Sequence, residues 1–122
     1  MIKLAFAVRR LESISEEEFH RYWRDEHGPL VRSVKDDIGL ARYVQSHTIT
    51  SPINDVMRAS RDALEPFDGV AELWWESFDA FVAGSSSEAG QKAAALLLED
   101  EKRFIDLSRS SLMMTEESVI IS

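Results

Sequence analysis

The chain of 122 residues contains no cysteine, which excludes disulfide frameworks, thiolate nucleophiles and cysteine-ligated zinc or iron–sulfur sites. It has no signal-peptide pattern at its N-terminus, and no apolar run approaches the roughly 20 residues that span a bilayer. Basic residues are too few to offset the acidic ones, and the formal net charge of -8 disfavours phosphate backbones and anionic lipid surfaces. We therefore expect a cytoplasmic protein with neither a membrane nor a nucleic-acid partner.

Several catalytic signatures are also missing. Serine is plentiful, but no Gly-x-Ser-x-Gly elbow, phosphate loop or dinucleotide fingerprint occurs. The three histidines, His20, His27 and His47, include no pair at the one-turn spacing of a metalloprotease motif. We predict no cofactor and no metal site from these patterns.

The length and the hydrophobic content of 44% suit one domain, which we assign to residues 1–122. Strands show as alternating apolar residues and helices as apolar steps of three and four. The strands are predicted at residues 2–8, 40–49, 70–75 and 112–121, the last with a bulge or turn at residues 115–117. The helices are predicted from Ser15 to Gly39 with a kink or restart at Gly28-Pro29, from Ser51 to about residue 64, from Ser77 to Val82, and over residues 88–107 after a loop at residues 84–87.

The resulting order is β-α-β-(α)-β-α-β, with a short extra helix between strands 2 and 3. This order predicts an α+β fold of the split βαβ type, in which two helices cover one side of an antiparallel sheet. Tryptophan and leucine side chains are spread through the strands, so we expect a second copy of the chain to cover part of the other side.

His27 is the leading candidate for a functional residue. It follows Trp23 by four residues on the apolar stripe of the first helix, beside the interruption at Pro29. At this position the titratable imidazole is expected to point toward the protein interior. The alternative is a structural histidine that hydrogen-bonds carbonyl groups left free at the end of a helix.

A polar ladder is predicted on the second strand, where Tyr43, Gln45 and His47 share one face. These side chains could line a ligand cavity and support proton transfer, or they could form a hydrogen-bonded subunit interface.

Three acidic residues are weaker candidates. Asp68 reads as a turn former before Gly69, and Asp100, on the inner stripe of the last helix, could pair with an arginine or lysine. Glu72, between Val70 and Trp74 on the third strand, is the most interesting of the three. His20, near the start of the first helix and among glutamates, is expected to be exposed.

Three sequence motifs resemble those of the EthD-like family of the dimeric α/β-barrel superfamily. The signature Phe-x-x-Tyr-Trp-x-x-x-His-x-Pro-Leu is matched by residues 19–30, and residues 42–47 and 67–74 look like the family's second-strand and third-strand motifs. The matches occur in family order and extend over essentially the whole chain.

This resemblance implies a ferredoxin-like sandwich that forms a dimeric α/β barrel, a homodimer with a cavity between the sheet and the helices of each subunit. It implies a cofactor-independent enzyme that transfers protons on a small cyclic or aromatic metabolite, such as an isomerase or dehydratase. The alternatives are a non-catalytic dimer that binds a small molecule, or a haem-binding or monooxygenase-type barrel. His27, His47 and Tyr43 are expected to be catalytic. The expected substrate-binding residues are Trp23, Gln45, Glu72 and Trp74.

Overall fold

The computed structural model describes all 122 residues and consists of one four-stranded antiparallel sheet with helices packed on one of its faces. The strands are β1 (Ile2–Val8), β2 (Arg42–His47), β3 (Gly69–Trp75) and β4 (Ser111–Glu116). The helices are α1 (Glu16–Tyr22), a π-helical turn (Trp23–His27), α2 (Gly28–Ser33), α3 (Pro52–Arg61), α4 (Phe78–Ser86), α5 (Glu88–Glu101) and a 3₁₀ turn (Leu107–Arg109). None of the helices combines the length and apolar character that crossing a membrane requires.

The strand order β2-β3-β1-β4 is that of a ferredoxin-like sheet, and α3 is the extra helix between β2 and β3. The predicted fold class is confirmed. Strand alternation gives the sheet two unlike faces, because paired residues of antiparallel strands point to the same side. One face contains Leu4, Leu73 and Tyr43, which lie opposite one another and pack under the helices.

The core has two clusters on this helix-covered face. The first surrounds Trp75 and Val31, and the second surrounds Trp23, Phe19 and Phe104. Leu73 and Tyr43 touch both clusters, so the middle of the sheet is where the two clusters meet. The space between them contains the candidate site.

The first helical segment passes through Pro29 without a sharp break. Ser15 caps α1 by accepting a hydrogen bond from the Glu18 amide, as its position predicted. A proline at residue 29 cannot donate the usual bond to the residue four positions earlier, and the chain responds with a π-helical turn. In this turn the Gly28 amide donates to the Trp23 carbonyl, five residues back. The predicted interruption is therefore a local widening of the helix.

Three predicted helix boundaries were wrong. The first helical segment ends at Ser33 and is followed by turns, whereas it was predicted to continue to Gly39. The last helix ends at Glu101 rather than residue 107, because the chain turns there to pair with the end of β1 through a bond from the Asp106 amide to the Arg9 carbonyl. The loop expected at residues 84–87 is largely helical, since α4 continues to Ser86. Gly84 lies inside α4, where the backbone of Ile38 approaches closely. A Cβ at residue 84 would be 2.0 Å from the Ile38 carbonyl oxygen, so only glycine fits at this position.

The last strand was predicted too long. It ends at Glu116, which pairs with Ile2 at the beginning of β1, so no partner strand extends further. Val119, Ile120 and Ile121 lie beyond this point and are exposed.

Gly69 is the first residue of β3 rather than part of the predicted Asp68-Gly69 turn, and the side chain of Trp23 packs directly on its backbone. A Cβ at residue 69 would lie 2.5 Å from Trp23 Cζ3 and 2.6 Å from the Ser46 carbonyl oxygen. Neither the buried indole nor the strand backbone can move far. The glycine is needed here because the ring occupies the space of a side chain.

We expect Gly69→Ala to lower the free energy of unfolding by about 2 kcal/mol, because overpacking forces the buried Trp23 ring out of place. Urea unfolding measures the change. Gly28→Ala is the matched control, because a Cβ at residue 28 meets its nearest atom at 3.4 Å and the residue is helical. We expect that variant to be unchanged or slightly more stable. Equal stability of the wild type and Gly69→Ala would contradict this packing argument.

Candidate functional site

The buried imidazole of His27 is held by a carboxylate from the opposite end of the chain. The π-helical turn brings His27 to face α5, where His27 Nδ1 lies 2.7 Å from Asp100 Oδ2. The His27 side chain is 6% exposed and that of Asp100 is 13% exposed. The other carboxylate oxygen, Oδ1, accepts a hydrogen bond of 2.5 Å from the hydroxyl of Tyr22. Asp100 therefore has the position of a buried orienting group. The expected pairing with an arginine is present as well, since Arg103 Nε lies 3.9 Å from Asp100 Oδ1.

This pairing defines the protonation of His27. A carboxylate only accepts hydrogen bonds, so Nδ1 of His27 carries the proton and Nε2 has the free lone pair. Burial lowers the pKa of His27 below its ordinary value of 6.5, although the Asp100 hydrogen bond and charge act in the opposite direction. The ring is thus neutral at pH 7 and can accept a proton at Nε2.

A cavity of about 80 Å³ lies between the two core clusters, next to His27. Most of its lining is apolar, and its titratable lining groups are His27, Tyr43 and Glu101. The apolar walls are Leu4, Phe6, Val8, Trp23, Val31, Ala71, Leu73, Leu97, Ile105 and Leu112. A small ring or alkyl group fits such a space better than a large molecule does.

Glu101 is a site residue that sequence reasoning missed. It is the last residue of α5, and its carboxyl group has no hydrogen-bond or ion-pair partner. Burial raises its pKa from 4.5 to about 7, and the neighbouring charge of Asp100 adds to this effect. The available signal was its position four residues after the buried Leu97 on the same helix face.

The polar ladder on β2 is a continuous chain of hydrogen bonds that leads from the surface to the cavity. The Gln45 amide nitrogen Nε2 lies 2.8 Å from the Trp23 carbonyl oxygen and 2.9 Å from the Tyr43 hydroxyl. Gln45 Oε1 lies 2.9 Å from His47 Nε2. Beyond it, His47 Nδ1 lies 2.7 Å from His20 Nδ1. His20 is therefore half-buried and bonded, contrary to the expectation that it is exposed.

The direction of each bond in this chain follows from the Trp23 carbonyl, which only accepts. Nε2 of Gln45 is then the amide nitrogen, so Oε1 of Gln45 accepts a hydrogen bond from His47 Nε2. Because Gln45 also donates to the oxygen of Tyr43, the Tyr43 hydroxyl proton remains free to donate to a ligand. Burial raises the pKa of Tyr43 and lowers that of His47, which favours the neutral form of both groups.

Two of the predicted substrate-binding residues lie on the other face of the sheet. Glu72 forms a 2.8 Å ion pair with Lys3, and the charged ends of Lys3 and Arg42 lie over the ring of Trp74. Their strand positions alternate with those that face the cavity. The structure thus brings together His27, Tyr43, Gln45, His47 and Trp23 but separates them from Glu72 and Trp74. No group of three or more histidine, cysteine, aspartate or glutamate side chains is arranged to hold a metal ion.

Comparison with known proteins places these features in a family context. The EthD domain matches residues 11–108, a range that includes all the titratable groups of the cavity. No curated protein has a matching sequence.

Solved structures share the fold at low sequence identity. An EthD family protein from Bacillus halodurans aligns with a TM-score of 0.65 and 19% identity over 97% of this chain and 99% of its own. An EthD-like protein from Ralstonia eutropha aligns with a TM-score of 0.63 and 20% identity over 99% and 95%. A dimeric ferredoxin-like protein from Thermobifida fusca aligns with a TM-score of 0.57 and 10% identity over 95% and 90%.

Glu101→Gln tests the environment of the unpartnered carboxyl. The folded-state pKa of about 7 exceeds the ordinary 4.5, so folding takes up a proton between these values. The stability that Glu101 contributes is present at low pH and is lost as the pH rises through 7. We expect the variant to gain about 1 to 3 kcal/mol over the wild type at pH 8 and to lose this gain by about pH 4, below the ordinary pKa of 4.5.

Urea unfolding at the two pH values measures this difference, and the titration of His27 cancels because both proteins contain it. Glu99→Gln, at an exposed position of the same helix, is the control for loss of one charge. A stability difference that does not change with pH would show that the Glu101 carboxyl is ordinarily solvated.

Proposed function

This chain belongs to the EthD domain family, and from that premise we propose that it is an enzyme that moves a proton within a small cyclic or aromatic metabolite, without a cofactor. The observation that supports this most directly is the His27–Asp100 pair, whose free Nε2 belongs to a ring that lines the apolar cavity. A neutral imidazole fixed by a carboxylate is a suitable general base at neutral pH.

Three side chains have complementary roles in this proposal. His27 Nε2 removes a proton from a carbon next to a carbonyl group. The Tyr43 hydroxyl, with its proton free, donates a hydrogen bond to the oxygen where negative charge develops. Glu101, protonated in a fraction of molecules near pH 7, returns a proton at a second carbon. His27 then releases its proton and Glu101 takes one up, so both groups return to their starting forms and the isomerisation balances.

The other residues of the cavity position the substrate. Trp23 forms an aromatic wall, and its carbonyl holds Gln45, which in turn orients the Tyr43 hydroxyl. His47 acts through Gln45 and so is proposed as a positioning residue. The low polarity of the remaining walls strengthens each hydrogen bond to a developing charge.

A second candidate function is binding without turnover. The cavity is small and mostly apolar, which favours sequestration of a hydrophobic metabolite as well as its conversion. The two candidates differ in one observable, because a binding protein gives saturable binding and no product.

A β,γ-unsaturated cyclic ketone, β,γ-cyclohexenone, serves as the probe for proton transfer, because its conjugated isomer is detected by ultraviolet absorption. We expect the protein to accelerate the isomerisation and His27→Gln to reduce kcat/KM by about a hundredfold or more. Asp100→Asn should reduce it less, since the base remains but loses its orientation.

Glu99→Gln, which lies outside the cavity, should retain the full rate. Far-ultraviolet circular dichroism would establish that His27→Gln is folded. Wild-type kinetics in a folded His27→Gln variant would rule out the proposed base, and saturable binding of the ketone without isomerisation would favour the second candidate.

We further propose that two copies of the chain associate through the sheet face that no helix covers. This face carries Val44, Val70 and Met113, together with the Lys3–Glu72 ion pair. Met113 is 53% exposed in the single chain. The Thermobifida fusca protein, which shares the fold, is described as dimeric.

Native mass spectrometry should therefore show a species at twice the chain mass of 13.9 kDa. Met113→Asp should convert it to monomer, because a charge on an exposed side chain leaves the core of the chain intact but is costly at an interface. A monomeric wild-type protein at micromolar concentration would refute the proposed dimer.

A further inference from the structure

A groove of about 730 Å³ runs along β2, between this edge strand and residues 24–35, which form the helical segment and the turn that follows it. Its lining includes four basic residues and one acidic residue. The cations are Arg24, Arg32, Lys35 and Arg42, and the acid is Asp25.

This excess of positive charge is unusual for a chain with a formal net charge of -8. A second charged crevice, beside Pro66, gives a useful comparison because it contains four arginines balanced by five acidic residues. The positive groove is therefore a local feature rather than a reflection of overall composition. Clefts of one sign raise the local concentration of ligands of the other sign.

Part of this charge is available to a ligand. Arg24 pairs with Asp25, and Lys35 pairs with Asp36, in both cases through exposed side chains that gain little from pairing. Arg42 borders the groove, but its guanidinium stacks on Trp74, on the face of the sheet that no helix covers. Arg32 is exposed and is in neither a salt bridge nor a side-chain hydrogen bond. Its guanidinium can offer two parallel N–H groups to a carboxylate.

The groove adjoins the apolar cavity. Val31 and Tyr43 line both spaces, so they form the wall that the groove and the cavity share. Gln45 and His47 also line the groove, so the hydrogen bonds that position Tyr43 lie beside the basic residues. One molecule could therefore contact the cations with one end and the Tyr43 wall with the other.

We propose that the groove binds the carboxylate of a small cyclic acid, with Arg32 as its main ligand and with Lys35 and Arg24 as the surrounding field. The inference rests on the proposed function in that it specifies the substrate class for the same cavity. The carboxylate stays at the groove, and the ring is directed toward the wall formed by Val31 and Tyr43, beyond which the cavity and His27 lie.

Benzoate and benzamide are the probes, because they share one ring and differ in charge. Isothermal titration calorimetry on the full chain at low salt should show benzoate binding at least several-fold more tightly than benzamide, and added salt should weaken only benzoate. Arg32→Gln should weaken benzoate binding by about three- to tenfold and leave benzamide unchanged. Lys35→Gln should have a smaller effect in the same direction.

Arg61→Gln is the matched control, since Arg61 is an exposed arginine of α3 outside the groove. Equal affinity for the two probes, no binding of benzoate at millimolar concentration, or equal loss in Arg61→Gln and Arg32→Gln would overturn the inference. Tighter binding of phenyl phosphate than of benzoate would overturn the assignment to a carboxylate.

The outcome is separable from that of the proposed proton transfer. Benzoate binding that depends on Arg32 in a protein that isomerises no ketone would support the groove and refute the catalytic proposal. Catalysis that depends on His27 in a protein that does not distinguish benzoate from benzamide would do the reverse.

Discussion

The missing N–H of Pro29 is the constraint on which the site depends. It removes one bond of an ordinary helix, and the chain accommodates the loss with a π-helical turn over Trp23–His27. The turn sets the direction in which His27 projects, and it leaves the Trp23 carbonyl able to accept a second hydrogen bond, from Gln45. The base and the donor chain of the proposed mechanism thus both follow from one local backbone adjustment.

Burial has opposite effects on the pKa values of His27 and Glu101, two of the ionisable groups that face the cavity. It lowers the pKa of His27 and raises that of Glu101 to about 7, because in each case the charged form loses its hydration. At the same pH, His27 is therefore held as a neutral imidazole that can accept a proton, and Glu101 is held in part as a neutral carboxyl that can donate one. Asp100, next to Glu101 in sequence, accepts hydrogen bonds from Tyr22 and His27, whereas the Glu101 carboxyl has no such donor.

The local part of this arrangement could be predicted from sequence, and the long-range part could not. The alternation in β1 and the cap at Ser15 depend only on nearby residues and were found. The His27–Asp100 pair joins residues that are 73 positions apart, so no periodicity reveals it. Glu72 and Trp74 were expected in the site. Which face of the sheet borders the cavity depends on the segments that pack on it, and the strand sequence alone does not reveal this. The end of α5 was missed because contacts with β1 decide it.

Asp100 and Glu101 are neighbours at the end of one helix that begins at Glu88. Successive residues of an α-helix are rotated by about 100° around its axis, so the side chains of Asp100 and Glu101 point in different directions. Both reach their present positions only at one rotation of the helix about its axis. A single-residue insertion or deletion within α5 would turn both away from the cavity at once. The length of α5, and not only the identity of its residues, is therefore part of what defines this site in related chains.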